Sequence, residues 1–452
     1  MKRIVSIALV IGLVMAVAPF ASAQGPAVTG KAGEDRALSL QLSGELDLQM
    51  RYGNGAFVFG AQGISADANW LGSPKLNLML TAALADKASV VAQIAVPRVY
   101  DGTLNAFGPE TGNGEYWVIA KQLYLKLDQV LTEDLSLTFG IQEVVFDPVG
   151  QGNPLMIALG RAELAATAGG DIGTSARDEA RAGGLRLDYK LGAVGNIAFV
   201  HMLVDDGGSV IANELLTAVD ATYKVTDQIT VEGLFGLINL AGLEDSEVWL
   251  LGIGASTNGA FVEGLNLFAQ LGVEFGTVTT DVDAGGLMFD IGANYTLAMD
   301  WKPCIGVEYL YVSGDDTTGA NAGDDYEGFI SYEDNNDLVV LEDKEFGFDI
   351  DENYSVVKIR ASVQGDLLSS PVKDAFKLEM VLGIAKFNEK VGVPGGTEDA
   401  LGTELDIKAS WIATKQLKVY GGFGMLFGSD VLKAWVDEST VFTAFVGTSV
   451  TF

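Results

Sequence analysis

The sequence predicts an all-β protein, an antiparallel transmembrane β-barrel of about 18 strands with short periplasmic turns and long outer loops. Three observations predict this fold. Apolar and polar residues alternate over many segments of strand length, a secretion signal precedes them, and long and short connections alternate between them. Together they predict a location in the bacterial outer membrane, in contact with outer-membrane lipid.

The N-terminus has the three parts of a cleavable secretion signal. Residues 2–3 are basic, residues 4–17 form an apolar run, and residues 21–23 are a small-residue cleavage site. Cleavage is therefore predicted between Ala23 and Gln24. A membrane-spanning helix is the alternative, but the apolar run is shorter than the roughly 20 residues that a span requires.

The predicted domains follow from this signal. Residues 1–23 are the signal peptide, residues 24–36 a short periplasmic segment, and residues 37–452 the barrel. No later segment has 18 uninterrupted apolar residues. A secreted apolar chain without such segments can satisfy its backbone in lipid only as a closed barrel.

The alternation is clearest in the first predicted strand. Leu42, Leu46 and Leu48 lie on one face there, and Glu45 and Asp47 lie on the other. This pattern is typical of a wall with hydrocarbon outside and water inside. The predicted strands are 37–52, 75–85, 89–97, 117–128, 134–143, 181–191, 195–204, 214–225, 228–240, 246–257, 264–276, 285–299, 303–313, 354–365, 375–388, 401–412, 415–427 and 440–452.

Two of these strands, 195–204 and 246–257, are apolar on both faces, so 16 strands are possible. The even count is favoured because the connections alternate. Long ones follow the odd strands, and tight turns such as 86–88 and 413–414 follow the even ones. This parity places both ends of the barrel on the periplasmic side.

The inward face carries charges of both signs. If the lumen contains water, these side chains line the pore and set its ion selectivity. The alternative is that they pair across strands and only solvate the wall. The predicted pore-lining residues are Glu45, Asp47, Arg51, Lys126, Arg186, Asp188, Glu308, Lys358, Arg360, Lys377, Glu379, Glu404, Asp406, Lys408 and Lys418.

Two outer loops stand out. The loop at 314–353 holds 14 acidic residues against one lysine, so it should attract cations near a pore mouth. It predicts a Ca²⁺ site at Asp315, Asp316, Asp324 and Asp325; a solvated charged loop is the alternative. The loop at 144–180 is long enough to fold into the barrel and narrow it, or to remain outside without a gating role.

Composition excludes several classes of function. The chain has 60 acidic and 28 basic residues, a net charge of −32, which argues against binding nucleic acid. With one cysteine, Cys304, and one histidine, His201, the sequence implies no cofactor. Glu404 and Asp406 are about 6.6–7 Å apart along one strand, a spacing that suits acid–base chemistry but occurs in any charged lumen. We expect no enzyme.

The last predicted strand ends on Phe452, with Val446, Thr448 and Val450 on the same face. A terminal aromatic strand of this kind looks like the signal that bacterial barrel-assembly machinery reads. That machinery is therefore an expected partner. The alternative is a terminal Phe that arose by chance.

Several short motifs resemble the alginate-export family of outer-membrane barrel porins. They are residues 139–142, 306–315, 402–406 and 421–424, together with Phe452. The resemblance implies a monomeric 18-stranded barrel with a polar lumen and passive passage of a solute, in the type case an anionic polysaccharide. The acidic composition departs from what a polyanion requires, so only the fold and the channel role are carried over.

The sequence therefore predicts a porin-like channel for passive passage of small hydrophilic solutes or ions, favouring cations. The alternative is a structural or surface-binding barrel whose lumen is plugged and whose acidic outer loops bind Ca²⁺ or another partner. A monomer is favoured, although the sequence leaves the oligomeric state open.

Overall fold

The computed structural model of the chain describes residues 28–31, 37–53, 69–96, 119–146, 156–159, 181–205, 214–240, 243, 245–315, 325–330, 337–342, 350, 352–393, 396–428, 430–436 and 439–452. The predicted signal peptide and its cleavage site between Ala23 and Gln24 lie outside these residues. So do Asp316 and Asp324, two of the four predicted Ca²⁺ ligands.

The described residues form 22 strands and one short helix. The strands are β1 (Val28–Lys31), β2 (Ala37–Gly53), β3 (Asn69–Ala85), β4 (Ala88–Val96), β5 (Ile119–Leu127), β6 (Leu135–Gln142), β7 (Val144–Phe146), β8 (Ile157–Leu159), β9 (Arg181–Lys190), β10 (Gly195–Asp205), β11 (Glu214–Thr226), β12 (Ile229–Asn239), β13 (Glu247–Thr257), β14 (Leu265–Thr279), β15 (Val282–Ala284), β16 (Leu287–Thr296), β17 (Cys304–Val312), β18 (Tyr354–Gly365), β19 (Phe376–Val393), β20 (Gly396–Ile412), β21 (Leu417–Gly428) and β22 (Thr440–Thr451). The helix is α1 (Asp430–Val436), in the outer loop before β22.

Eighteen of the described strands form one closed antiparallel barrel. Each pairs with its neighbours along the chain, and β22 closes the ring by pairing with β2, for example Val446 with Met50. Phe452 extends this seam, since its backbone N–H and C=O both bond to Gly44, at 3.0 and 2.9 Å. The predicted fold and strand count are confirmed. Recognition of Phe452 by assembly machinery stays a prediction.

Four short strands add to the barrel. β1 forms a hairpin with the start of β2, and β15 pairs with the extension of β14. β7 and β8 pair only with each other, in a separate two-stranded sheet. No helix among the described residues is long and apolar enough to span a membrane.

The register assigns every strand residue to a face, because directly paired residues point the same way. In β13, Leu251 and Ile253 are 48% and 56% exposed, whereas Val248 and Leu250 are fully buried. The exposed set is the outer face and the buried set points inward. Aromatic side chains, such as Trp249 and Phe275, occur on the outer face near strand ends, where membrane interfaces favour them.

The two strands with weak alternation, β10 and β13, are both present. Their inward faces are apolar because other parts of the chain fill the barrel beside them; Val200, Met202 and Leu250 are buried there. His201 lies on the outer face of β10, exposed, and its Nδ1 is 2.9 Å from the Thr217 hydroxyl.

The outer hairpin between β19 and β20 differs from the prediction. Residues 389–400 were expected to be a loop, but the strands continue to Val393 and Gly396 with register shifts near Lys386. Beyond the membrane both faces meet water, so the alternation fades while backbone pairing continues. Period-two alternation therefore marks the lipid-covered part of a strand and not its full length.

Placing a charge on the lipid-facing wall should destabilise the barrel. Ile291, in the middle of β16, is outward and 54% exposed. We expect Ile291→Lys to reduce the free energy of unfolding by about 2–4 kcal/mol, the cost of a cation near the bilayer midplane. Asn294→Lys on the same strand points inward and is the matched control. Urea unfolding from lipid vesicles measures both, and equal losses would contradict the assigned faces.

Candidate functional site

The structure places all fifteen predicted pore-lining residues on the inward face of the barrel. Cross-strand pairs show this directly, since Glu308 lies opposite Lys358, and Glu379 lies opposite Lys408. Asp220 and Glu232 also point inward and were missed by the sequence analysis, although the alternation around them was available. Whether the predicted residues line a conducting path stays a prediction.

A piece of the acidic loop between β17 and β18 lies inside the barrel. Residues 337–342, here called the docked segment, are all buried. Three successive backbone N–H groups donate to two carboxylates of β20: Val339 to Asp406 at 3.1 Å, then Val340 and Leu341 to Glu404 at 2.6 and 2.9 Å. Carboxylates that accept backbone N–H bonds in a dry site are strongly held.

A buried lysine binds both ends of the docked segment. Lys358 of β18 has no exposed surface, and its Nζ lies 3.3 Å from Asp337 and 3.0 Å from Glu342. The same Nζ is 3.4 Å from Glu308 of β17. A fully buried ammonium requires such partners, because an unpaired charge in this position would be strongly destabilising.

Two further cations hold the start of the docked segment. Arg360 donates to the Asp337 carboxylate and, at 2.5 Å, to Glu308. Lys408 donates to the backbone carbonyl of Asp337 at 2.6 Å. The three inward cations of β18 and β20 thus converge on one aspartate of the loop.

The pKa values of the two carboxylates in the docked segment, those of Asp337 and Glu342, are shifted in opposite directions. Burial alone would raise the pKa of Asp337, but the adjacent Lys358, Arg360 and Lys408 hold the pKa well below its usual range. Burial raises the pKa of Glu342 to about 7, even though Lys358 opposes the shift. Asp337 is therefore the carboxylate that stays ionised in the docked state.

Glycines on the inward wall provide the space into which the inserted segments fit. A Cβ built on four of these glycines would come closer to an inserted side chain than real Cβ atoms do. The contacts are Gly383 with Leu338 (2.8 Å), Gly424 with Val339 (2.8 Å), Gly272 with Phe329 (2.9 Å) and Gly252 with the sulfur of Met156. The high glycine content partly reflects this close approach.

Two other inserted pieces pack near the outer end. The inner hairpin, formed by β7 and β8, buries Phe146 and Ile157 in one apolar cluster with the inward faces of β10–β13. Residues 325–330 lie beside β14, where Glu274 accepts the backbone N–H of Ile330 at 2.7 Å. Parts of both long loops therefore enter the barrel.

A polar cavity of about 540 Å³ remains between the inner hairpin and the wall made by β5, β6, β9 and β10. We call it the wall cavity. It is lined by Gln122, Tyr124, Lys126, Asp128, Ser136, Thr138, Gln142, Glu143, Val145, Arg186, Asp188, Lys190 and Asn196.

Four of the six charged residues that line the wall cavity form ion pairs with one another. Arg186 donates through Nε and Nη2 to the Asp188 carboxylate at 2.9–3.0 Å. Lys126 Nζ lies 3.4 Å from Asp128. Of the predicted pore-lining cations, these two border the cavity, and each has an acidic neighbour.

The inward wall of β2, β21 and β22 is likewise occupied by internal contacts. Tyr420 donates to Asp47 at 2.6 Å, and the Arg51 guanidinium lies 5.1 Å from the centre of the Phe445 ring. Glu45 accepts a hydrogen bond from Ser449. On the neighbouring wall, Lys377 Nζ lies 2.5 Å from Glu379, and on β21 Lys418 Nζ is 5.8 Å from the centre of the Tyr420 ring.

The predicted Ca²⁺ site stays a prediction. Asp315 and Asp325 are described, and Asp315 accepts the backbone N–H of Glu327 at 3.4 Å. Within the described ranges, no group of three His, Cys, Asp or Glu side chains could hold a metal ion.

Solved structures with the same architecture are known. The chain is similar to Acinetobacter baumannii OccAB2 (TM-score 0.59, 10% identity), Pseudomonas aeruginosa OpdQ (0.56, 12%) and Pseudomonas aeruginosa OpdK with vanillate (0.53, 11%). Each match covers 91% of this chain and 98% of the other. The fold is that of an outer-membrane porin. The predicted outer-membrane location agrees with this fold.

No protein-family model matches the sequence, and no curated protein matches it at a significant level. The comparisons therefore support an outer-membrane β-barrel porin fold and give no support to the resemblance to the alginate-export family.

Removing the carboxylate of Glu404 should loosen the docked segment. In Glu404→Ala, two buried backbone donors lose their acceptor, and each unsatisfied donor costs roughly 1–3 kcal/mol. We expect hydrogen exchange at Val340 and Leu341 to become at least about tenfold faster, since 1.4 kcal/mol is a factor of ten. Glu45→Ala, which removes an inward carboxylate elsewhere, is the control. Unchanged exchange in Glu404→Ala would contradict the assigned anchor.

Proposed function

We propose that the protein is a porin-like channel for passive passage of small hydrophilic solutes or ions across the outer membrane. The observation that carries the proposal is the closed barrel whose inward face, between β5 and β10, borders a polar cavity of about 540 Å³. A polar wall around open volume, inside an apolar outer face, is the arrangement that porins use for aqueous passage.

The inserted segments limit what the channel admits. The inner hairpin and the docked segment fill the lumen beside β10–β13 and β18–β21. Only the remaining cross-section is left for solutes. An open volume of about 540 Å³ is of the size that suits small molecules.

A preference for cations is part of the proposal. Acidic residues outnumber basic ones by 60 to 28 over the chain, and the loop that enters the barrel is acidic. On the wall itself cations and carboxylates largely offset each other, so the excess negative charge comes from the loops. Carboxylates near a narrow mouth raise the local concentration of cations.

The alternative is a plugged barrel that serves as a structural or surface-binding protein. The tight fit of the docked segment against Gly383 and Gly424 favours it. Catalysis is not proposed, because His201 is on the outer face, and the docked segment covers Glu404 and Asp406.

Planar-bilayer recording tests the channel and the plug against each other. We expect the unmodified protein to conduct in KCl with a reversal potential that favours K⁺ at low salt. The preference should weaken near 1 M KCl, where the Debye length falls to about 3 Å. Absence of conductance would favour the plugged barrel, and selectivity for Cl⁻ would contradict the role given to the acidic loop.

A single methyl group should displace the docked segment. In Gly424→Ala, the new Cβ would lie 2.8 Å from Cβ of Val339, a rigid contact that cannot relax by side-chain rotation alone. We expect a larger unit conductance than in the unmodified channel. Gly236→Ala is the matched control, because its nearest contacts are ordinary ones at 3.7 Å. Equal conductance in the two variants would show that the docked segment does not border the conducting path.

A further inference from the structure

We propose that the wall cavity is a binding site for an uncharged polyhydroxylated solute of about the size of a monosaccharide. This inference rests on the proposed channel function and names its solute class. It is carried by the chemistry of the cavity lining, by the balance of charges around it and by its volume.

The lining is rich in hydrogen-bonding groups that carry no charge. Six of the thirteen lining residues are amides or hydroxyls, namely Gln122, Tyr124, Ser136, Thr138, Gln142 and Asn196. An amide offers both donors and acceptors, and a hydroxyl offers either. Neighbouring hydroxyls of a sugar likewise both donate and accept, so such a solute can satisfy these groups without leaving a charge unpaired.

Charged lining residues cancel one another. Three are basic (Lys126, Arg186 and Lys190) and three are acidic (Asp128, Glu143 and Asp188), so the cavity has no net charge. An anionic solute that paired with Arg186 would have to displace Asp188 from its two-pronged contact with that guanidinium. A cationic solute would compete with Lys126 for Asp128. The site therefore gives little advantage to an ion of either sign.

The dimensions also fit a small ring. A volume of about 540 Å³ is within the range of about 300–1,000 Å³ typical of small-molecule pockets. Tyr124 adds an aromatic ring to an otherwise polar lining, and such rings present an apolar body beside a polar tip. A sugar has the same mixture of C–H and O–H surface.

The sequence explains why the cavity forms at this wall. In β5 and β6 the inward positions include Gln122, Tyr124, Ser136 and Thr138, and their outward neighbours are apolar. The inner hairpin closes the opposite side through Val145. The neutral side chains are thus fixed by strands and face one shared volume.

Three probes of similar size separate the solute classes. Glucose is neutral, gluconate is anionic and glucosamine is cationic. In liposome swelling with the full-length mature protein, we expect glucose to enter several-fold faster than gluconate. Glucosamine, which the acidic loop attracts but the cavity lining does not select, should enter no faster than glucose. Glucose should also reduce KCl conductance in a saturable manner.

Matched variants locate the effect. Gln122→Met combined with Thr138→Val keeps side-chain size but removes hydrogen-bonding groups from the cavity. We expect the half-saturating glucose concentration to rise about tenfold, the loss expected for two hydrogen bonds. Gln364→Met combined with Thr443→Val changes the same residue types on inward faces outside the cavity. This control should leave the half-saturating glucose concentration unchanged.

The outcomes distinguish this inference from the channel proposal. If KCl conducts but glucose neither enters faster nor blocks, the solute class is wrong while the channel stands. If the two double variants change the half-saturating glucose concentration equally, the binding site does not lie in the wall cavity. If nothing conducts, the channel proposal fails, and calorimetric titration of the detergent-solubilised barrel with glucose decides whether the cavity binds the sugar.

Discussion

The stability of the structure depends on giving every backbone N–H and C=O group in the barrel wall a hydrogen-bond partner. Hydrocarbon offers no partner to an exposed N–H or C=O, so an open sheet edge within it would be prohibitively costly. The pairing of β22 with β2 removes that edge. Once the ring is closed, the outer face must be apolar, whereas the inner face is free to carry charge. That freedom makes both the buried ionic contacts and the polar cavity possible.

The interior is divided between packing and open volume. Along β10–β13 the inward face is mostly apolar and packs against the inner hairpin, apart from Asp220 and Glu232. Along β17–β20 it is charged, and the charges are satisfied by the docked segment. There Glu404 and Asp406 accept backbone N–H groups, while Lys358 joins carboxylates from both the wall and the loop. On the β5–β10 side, within the described part of the chain, polar groups face the open volume of the wall cavity. The loops, and not the strand number, therefore set the shape of the lumen.

Much of the wall could be predicted from the sequence, because period-two alternation is a local property. All eighteen barrel strands and the inward direction of residues such as Glu404 follow from it. The docked segment could not be predicted in place, since its contacts with Glu404 and Asp406 join residues more than 60 positions apart. Two signs of it were nevertheless present. Residues 338–341 are Leu-Val-Val-Leu within a highly acidic loop, and β10 and β13 are apolar on an inward face that water would otherwise cover. Each implies a missing partner inside the barrel.

The inward glycines have a consequence for how such a chain can diverge. Gly383 and Gly424 lie on strands, and Leu338 and Val339 lie in a loop, yet each pair shares one small volume. A strand glycine cannot be replaced by a residue with a side chain unless the loop residue becomes smaller. A larger loop residue likewise requires that the strand position remain glycine. In a collection of homologous sequences, these strand and loop positions should therefore vary together, as paired substitutions that conserve total volume.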